Sequence, residues 1–237
     1  MIRRLLWLKP GAAFPSPEQA MEDPNGLLAA GADLRIETLL CAYSAGIFPW
    51  FSSDEPILWW SPDPRGLLWN HCLHISHSLL RLLKKNSYCV RTDSCFSQVI
   101  TACAATRTRS PGTWIVPAIQ EAYLKLHLAG YAHSVEVYNS REQLVGGVYG
   151  VQIGSMFFGE SMFSREPNTS KLALVLLSTW LSQYGCPVID TQLTNPHLLT
   201  LGAVNCPRQE FLGILRPLLD RPASVPWGTI LHWPLCT

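Results

Sequence analysis

The chain has 237 residues, of which 48% are hydrophobic and 15% charged, with a formal net charge of +1. That composition excludes a disordered polymer and bounds the chain to one large domain, or to one with a small companion. No apolar run reaches the roughly 20 residues of a membrane span, and the weak likeness of Arg3-Arg4-Leu5-Leu6-Trp7-Leu8 to a secretion signal is cut short by Lys9 and Pro10, so a cytoplasmic protein without membrane attachment is expected.

The eight cysteines form no C-x-x-C pair and are scattered through apolar segments. This suits reduced core thiols rather than a disulfide framework or a zinc site. His71, His74 and His77 are spaced by three, but their surroundings read as a chance cluster rather than a metal site. Charge is uneven along the chain. Residues 65–120 carry Arg65, Arg81, Lys84, Lys85, Arg91, Arg107 and Arg109 against Asp93 alone, a net of +6. Such a segment can serve a polyanion. Arg81, Lys84 and Lys85 at i, i+3 and i+4 also fit an ordinary solvated helix face.

In chain order, residues 1–32 are rich in Pro, Gly and Ala, and residues 36–45 read as a helix closed by Gly46. Trp50, Trp59 and Trp60 then crowd among prolines, where they suit either stacking on bases or gluing two domains together. A domain boundary is expected near residue 64, with a small N-terminal domain over 1–64 and a larger one over 65–237. Beyond it, 67–72 reads as a strand, 76–85 as a basic helix and 88–92 as a strand. Asp93 is expected to cap a helix bearing Phe96, Val99, Ile100 and Cys103 at helical spacing. A helix over 116–128 stops at Gly130, and residues 133–138 and 143–149 alternate around Asn139-Ser140-Arg141-Glu142 as a hairpin. A long apolar helix follows over 169–184, then a short strand over 188–192 and a last helix over 207–219.

Residues 154–171 stand apart from this alternation. Met156, Phe157, Phe158, Met162 and Phe163 surround a lone carboxylate, Glu160, and Asn168-Thr169-Ser170 reads as a helix cap. A buried carboxylate is costly without a partner. Two readings are open: a binding pocket with apolar walls and one charge, or two core strands joined by a turn, with Glu160 paired to an arginine.

A hairpin-rich sheet flanked by helices is an α+β arrangement of the N-acetyltransferase (GNAT-like) kind. The turn that would cradle a coenzyme pyrophosphate, Arg165-Glu166-Pro167-Asn168-Thr169, has no glycine and carries an acid, which disfavours acetyl-CoA.

Longer motifs are more specific. They include Ala42-Tyr43-Ser44-Ala45-Gly46-Ile47-Phe48-Pro49-Trp50-Phe51, Trp59-Trp60-Ser61-Pro62-Asp63-Pro64-Arg65, Gly112-Thr113-Trp114-Ile115, Phe158-Gly159-Glu160-Ser161-Met162-Phe163-Ser164, and Ile189-Asp190 with Gln192. On these the chain resembles the bacterial leucyl/phenylalanyl-tRNA–protein transferases from about Phe14 to Leu215. The resemblance implies a small N-terminal domain on a GNAT-like domain. It implies an aminoacyltransferase of the leucyltransferase type. Such an enzyme moves leucine, phenylalanine or methionine from aminoacyl-tRNA to proteins beginning with Arg or Lys and marks them for N-end-rule degradation. It also implies a cytoplasmic enzyme with no metal or coenzyme, expected as a monomer. Ala32, Arg35, Val148 and Thr169 depart from the family pattern, where a glycine, a helix-capping serine, a larger apolar residue and an alanine are common.

By resemblance, Asp190 and Gln192 are the catalytic pair, Gln192 guiding the amine proton and Asp190 polarising Gln192. A spacing of two puts both on one face of a regular strand. A strand-end Asp bonding a loop, with an exposed Gln, is the plain structural alternative. The donor pocket is expected to use Val148, Met156, Phe157, Glu160 and Met162, with Tyr43, Trp50 and Trp114 holding the terminal adenosine. Arg81, Lys84, Lys85 and Arg91 are expected on tRNA phosphates. An acetyl-CoA-dependent N-acyltransferase and a non-catalytic tRNA-binding protein remain as rival readings.

Overall fold

The computed structural model describes residues 5–106 and 114–233. Gly112 and Thr113 of the expected motif, and Arg107 and Arg109 of the basic segment, lie outside the described residues. Two sheets organise the rest. The first is built from β1 (Leu6–Leu8), β2 (Leu27–Gly31), β3 (Phe48–Pro49) and β4 (Leu58–Trp60) in the order β1-β2-β4-β3, with α1 (Ile36–Ser44) between β2 and β3. The aromatic run that closes it divides by depth. Trp59 is fully buried and donates through Nε1 to the Gly31 carbonyl at 2.9 Å, whereas Trp50 stays 40% exposed.

The second sheet takes β5 (Arg65–Trp69), β6 (Cys89–Thr92), β7 (Ala132–Tyr138), β8 (Leu144–Ile153), β9 (Met156–Ser164), β10 (Val188–Gln192), β11 (Val204–Cys206) and β12 (Ile230–Leu231). Its order is β11-β5-β10-β9-β8-β7-β6-β12. Every adjacent pair is antiparallel except β9 with β10, which run parallel. The hairpin at residues 139–142 joins β7 to β8. The remaining helices are α2 (His77–Lys85), α3 (Phe96–Thr106), α4 (Pro117–Leu128), α5 (Thr169–Gln183), α6 (Pro196–Leu199) and α7 (Arg208–Leu219). Residues of α1, α3, α4 and α7 share the apolar cluster on one face of this sheet, and those of α2 and α5 the cluster on the other. Among the described residues no helix is long and apolar enough to cross a membrane.

Because both faces are covered, β7 is buried throughout, polar residues included. Those residues find partners in the segment ahead of α3, and this corrects one expectation. The Asp93 carboxylate does not cap α3; it meets His133 Nδ1 at 2.7 Å and accepts from the Ser134 amide at 2.7 Å. The start of α3 is served instead from β7, where the Glu136 carboxylate accepts from the Ser94 and Cys95 amides, each at 3.3 Å. A negative charge there also complements the positive end of the helix. Asn168 likewise precedes α5 without a side-chain cap bond, and Ser164 Oγ accepts from the Ser170 amide in its place. Cys41 and Cys72 are exposed rather than core thiols.

One buried ion pair joins neighbouring strands of the second sheet, and its arginine reaches across to the first. Arg65 and Asp190 are both fully buried and joined by two bonds, of 2.9 Å from Nε and 2.7 Å from Nη2. The guanidinium also donates to the Gly46 carbonyl at 3.0 Å and lies over the rings of Phe48 and Phe211. Removing one member of such a pair leaves an uncompensated buried charge, so Asp190→Asn is expected to lose about 3–5 kcal/mol of stability, measured by chemical unfolding.

The departures from the family pattern have local consequences. Arg35 precedes α1 without a side-chain cap bond and pairs with Asp33 instead. Thr169 is buried with its hydroxyl donating to the Val145 carbonyl at 2.8 Å. Ala32 sits at φ +60°, in the left-handed region that glycine occupies without penalty. Left-handed backbone costs an L residue about 1–2 kcal/mol, while glycine gives back roughly 0.5–1 kcal/mol in chain entropy. Ala32→Gly is therefore expected to raise stability slightly, by up to about 1 kcal/mol, read as a higher denaturation midpoint at unchanged slope.

Candidate active site

The parallel pair β9 and β10 is joined only at Phe157 with Ile189 and at Phe158 with Asp190. Just beyond, both strands lose register. On β9, Gly159 faces Gly150 and Ser161 faces Tyr149, so Glu160 is an extra residue with no counterpart. On β10, Asp190 faces Leu67 and Gln192 faces Gly66, so Thr191 is extra. Bulges of this kind bend a strand and re-aim its side chains, and they are common beside active sites. Gly66 permits the second bend: a Cβ there would come within 2.7 Å of Thr191 Oγ1 and 2.8 Å of the Leu193 carbonyl carbon.

A cavity of about 330 Å³ opens where the strands part. Val148, Met162, Leu174, Ile189 and Leu198 form its apolar wall, and Phe48, Trp50 and Trp114 contribute rings. Glu160, Ser161, Gln192, Thr194 and Asn195 supply polar groups. Ser161 Oγ is buried and has no hydrogen-bond partner among the described residues.

Glu160 is 9% exposed. Tyr43 Oη of α1 donates to its Oε1 at 2.7 Å, Tyr123 Oη of α4 to its Oε2 at 3.1 Å, and the two tyrosine hydroxyls touch each other. Burial pushes the Glu160 carboxyl up to about 7, against the stabilising donors Tyr43 and Tyr123. Burial and the neighbouring carboxyl hold both phenols well above their ordinary range, so they stay protonated. Among the described residues no arginine pairs with Glu160; its third hydrogen-bond partner is Gln192, whose Nε2 donates to Oε1 at 3.3 Å.

Asp190 holds Gln192 differently from the expected side-chain polarisation. Its Oδ1 accepts from the Gln192 backbone amide at 2.8 Å, and both its oxygens are engaged by Arg65. A spacing of two puts residues on one face only of a regular strand, and the Thr191 bulge removes that regularity. Gln192 sits at φ +57°, a left-handed conformation that Asp190 secures through the backbone.

Of the residues singled out from sequence, Trp50, Trp114, Val148, Glu160, Met162 and Gln192 line the cavity. Tyr43 does not present a face for stacking, because it is fully buried and bound to Glu160. Met156 and Phe157 lie in the packed core, at 0% and 1% exposure, one in each of the two apolar clusters. Arg81, Lys84 and Lys85 are exposed on α2, whereas Arg91 is committed to Glu142 at 2.8 Å and to the ring of Tyr138. Sequence reasoning missed Tyr123 and the partnership of Arg65. An arginine opening an apolar strand was the available signal for Arg65; nothing in the α4 pattern distinguished Tyr123.

Models of the leucyl/phenylalanyl-tRNA protein transferase match residues 67–216 and, for the N-terminal domain of that family, residues 32–63. This chain belongs to that family. It is 52% identical to the leucyl/phenylalanyl-tRNA–protein transferase of Pseudomonas fluorescens strain SBW25, over 94% of this chain and 99% of that one. It is also 52% identical to the protein of the same name from Nitrosomonas eutropha strain C91, over 99% of both. Among solved structures, a GNAT-family acetyltransferase of Staphylococcus aureus Mu50 aligns at 15% identity with a TM-score of 0.31, over 40% of this chain and 66% of that one. Within the family, the fold is an α+β arrangement with a small N-terminal domain.

The raised Glu160 carboxyl makes stability depend on pH. Its folded value, about 7, lies above the ordinary 4.5, so between those values the native state keeps a proton that the unfolded chain has lost. Stability from this group is fully present below about pH 4.5 and is lost as pH climbs to about 7, by on the order of 3 kcal/mol in all. Glu160→Gln is expected to flatten the fall in Tm between pH 5 and 7.5 relative to the wild type, at about 2–4 °C per kcal/mol.

Proposed function

We propose that this protein is an aminoacyltransferase that moves leucine, and also phenylalanine and methionine, from aminoacyl-tRNA to proteins whose first residue is Arg or Lys. The product is marked for N-end-rule degradation in the cytoplasm. The observation that carries this reading is the cavity between β9 and β10, which joins an apolar wall to one carboxyl, Glu160, and the amide of Gln192 in a member of this family. The apolar wall suits an unbranched, γ-branched or aromatic side chain, with Met162 adapting to each. Trp50 and Trp114 suit the terminal adenosine. Arg81, Lys84 and Lys85 are free to meet phosphates of the tRNA body, unlike Arg91. We further propose a division near residue 64, the enzyme acting as a monomer. Against an acetyl-CoA enzyme stands the turn ahead of α5, Arg165-Glu166-Pro167-Asn168, which has no glycine and carries an acid.

The chemistry is aminolysis of an ester. An α-amino group has a pKa of about 7.7–8.0, so neutralising it at pH 7 costs only about 1 kcal/mol. The remaining work is orientation and proton transfer. With Nε2 directed to Glu160, the Gln192 carbonyl oxygen is left to accept from the incoming amine. Asp190 fixes Gln192 through its backbone, and its own charge is spent on Arg65. Ser161 Oγ is a spare donor for the oxyanion.

The test is transfer of labelled leucine from Leu-tRNA to a protein beginning with Arg. Label on that protein, and none on one beginning with Gly, is expected. Gln192→Ala should lower kcat by about 10²–10⁴ while Leu-tRNA binding changes little. Wild-type protein that leaves the ester intact would remove this reading.

A further inference from the structure

An amide oxygen can accept a hydrogen bond but is far too weak a base to keep a proton. Gln192 can therefore guide the acceptor amine, yet another group must hold the proton that the amine sheds. Among the described residues, Glu160 is the only ionisable side chain that lines the cavity. Its surroundings are also short of one proton. Tyr43, Tyr123 and Glu160 make three mutual contacts, closing a triangle. The two phenols supply two protons for those three contacts. An ionised Glu160 leaves one contact without a proton, and a protonated Glu160 fills all three.

We propose that the Glu160–Tyr43–Tyr123 ring is the proton store of the transfer reaction, Glu160 being a catalytic residue and the two tyrosines positioning residues. This rests on the aminoacyl-transfer reading above. In the step, the amine nitrogen forms a bond to the ester carbonyl carbon, and the excess proton of that nitrogen passes to the Glu160 carboxylate. The bond from that carbon to the 3′ oxygen of the terminal ribose then breaks with its electron pair on oxygen. The proton held by Glu160 goes to that oxygen. Ester and amine become amide and alcohol, and the ring returns to its starting state.

The groups that face Glu160 fit this role. Tyr43 comes from α1, Tyr123 from α4, and Gln192 from β10. Tyr149 of β8 meets the Tyr123 ring edge-on. Asp190 and Arg65 act at longer range with opposite signs, and their mutual pairing leaves little net field. A carboxyl poised at about 7 can both take and return a proton near neutral pH. The tyrosine donors hold it down against burial, so removing one of them should drive it higher.

The experiment is single-turnover transfer from Leu-tRNA across pH 5.5–9, with wild type, Glu160→Gln and Tyr123→Phe. Two acceptor peptides are used, both beginning with Arg but with α-amino groups of different pKa. The wild type is expected to show two inflections, one that moves with the acceptor and one that stays fixed. Glu160→Gln should abolish the fixed inflection and lower the rate constant by about 10²–10³, with the Kd for Leu-tRNA within a few-fold of wild type. Tyr123→Phe should shift the fixed inflection to higher pH, so that its rate falls more at pH 6.5 than at pH 8.5. A role confined to packing moves neither inflection. A wild-type profile with one inflection that follows the acceptor amine overturns the ring, and this measurement needs no variant to fold. So does near wild-type turnover by Glu160→Gln. Wild-type protein that transfers nothing overturns the aminoacyl-transfer reading itself, a separate outcome.

Discussion

Burying a guanidinium and a carboxylate together is costly, and the rest of the molecule is arranged to offset that cost. Arg65 and Asp190 satisfy each other through two bonds, but the remaining valences are met from far apart in the chain. Gly46 gives a carbonyl, Phe48 and Phe211 give ring faces, and the Gln192 amide takes a share of Asp190. The N-terminal sheet, β5, β10 and α7 all therefore converge on a single buried charge pair. β10 is pinned at Asp190 by that pair, and the chain bends immediately after it.

The bend gives the cavity its character. Two strands of one sheet are continuous up to the same level and then depart from the ladder together, each by one extra residue. Their two carboxylates end up in opposite circumstances. Asp190 is fully buried and matched by a cation. Glu160 is matched only by hydroxyls and an amide, so burial dominates its titration.

Much of this arrangement was legible in the sequence, and the losses have specific causes. The 139–142 hairpin, α5 and β10 follow from periodicity and turn residues, because each is long or sharply bounded. β1 to β4 escaped, since strands of two to five residues among prolines and glycines carry too few repeats of the pattern. The lone carboxylate at position 160, set among Met and Phe, drew attention to the right stretch. Its partners could not be read, because Tyr43 and Tyr123 come from two helices on one face of the sheet. Glu136 took the role expected of Asp93 for the same reason: which carboxylate reaches a helix start is decided by the fold across β7, and local capping rules see only the nearest candidate. Strand alternation relates Asp190 to Gln192 only if no residue is inserted between them in register, and a bulge leaves no mark in composition.

The ion pair also sets a timetable. Arg65 and Asp190 are 125 residues apart in the chain, and contacts of such separation are slow to form because the loop between them must first be closed. During synthesis the N-terminal portion emerges first. It carries Arg65 at the start of an apolar strand, with Phe48 already at hand and neither Asp190 nor Phe211 yet made. Until β10 and α7 arrive, β5 lacks both its neighbours in the sheet, and its cation has no counter-charge to accompany it indoors. A nascent chain of this protein must keep that strand wetted, or shielded by a helper, through more than half of its own translation.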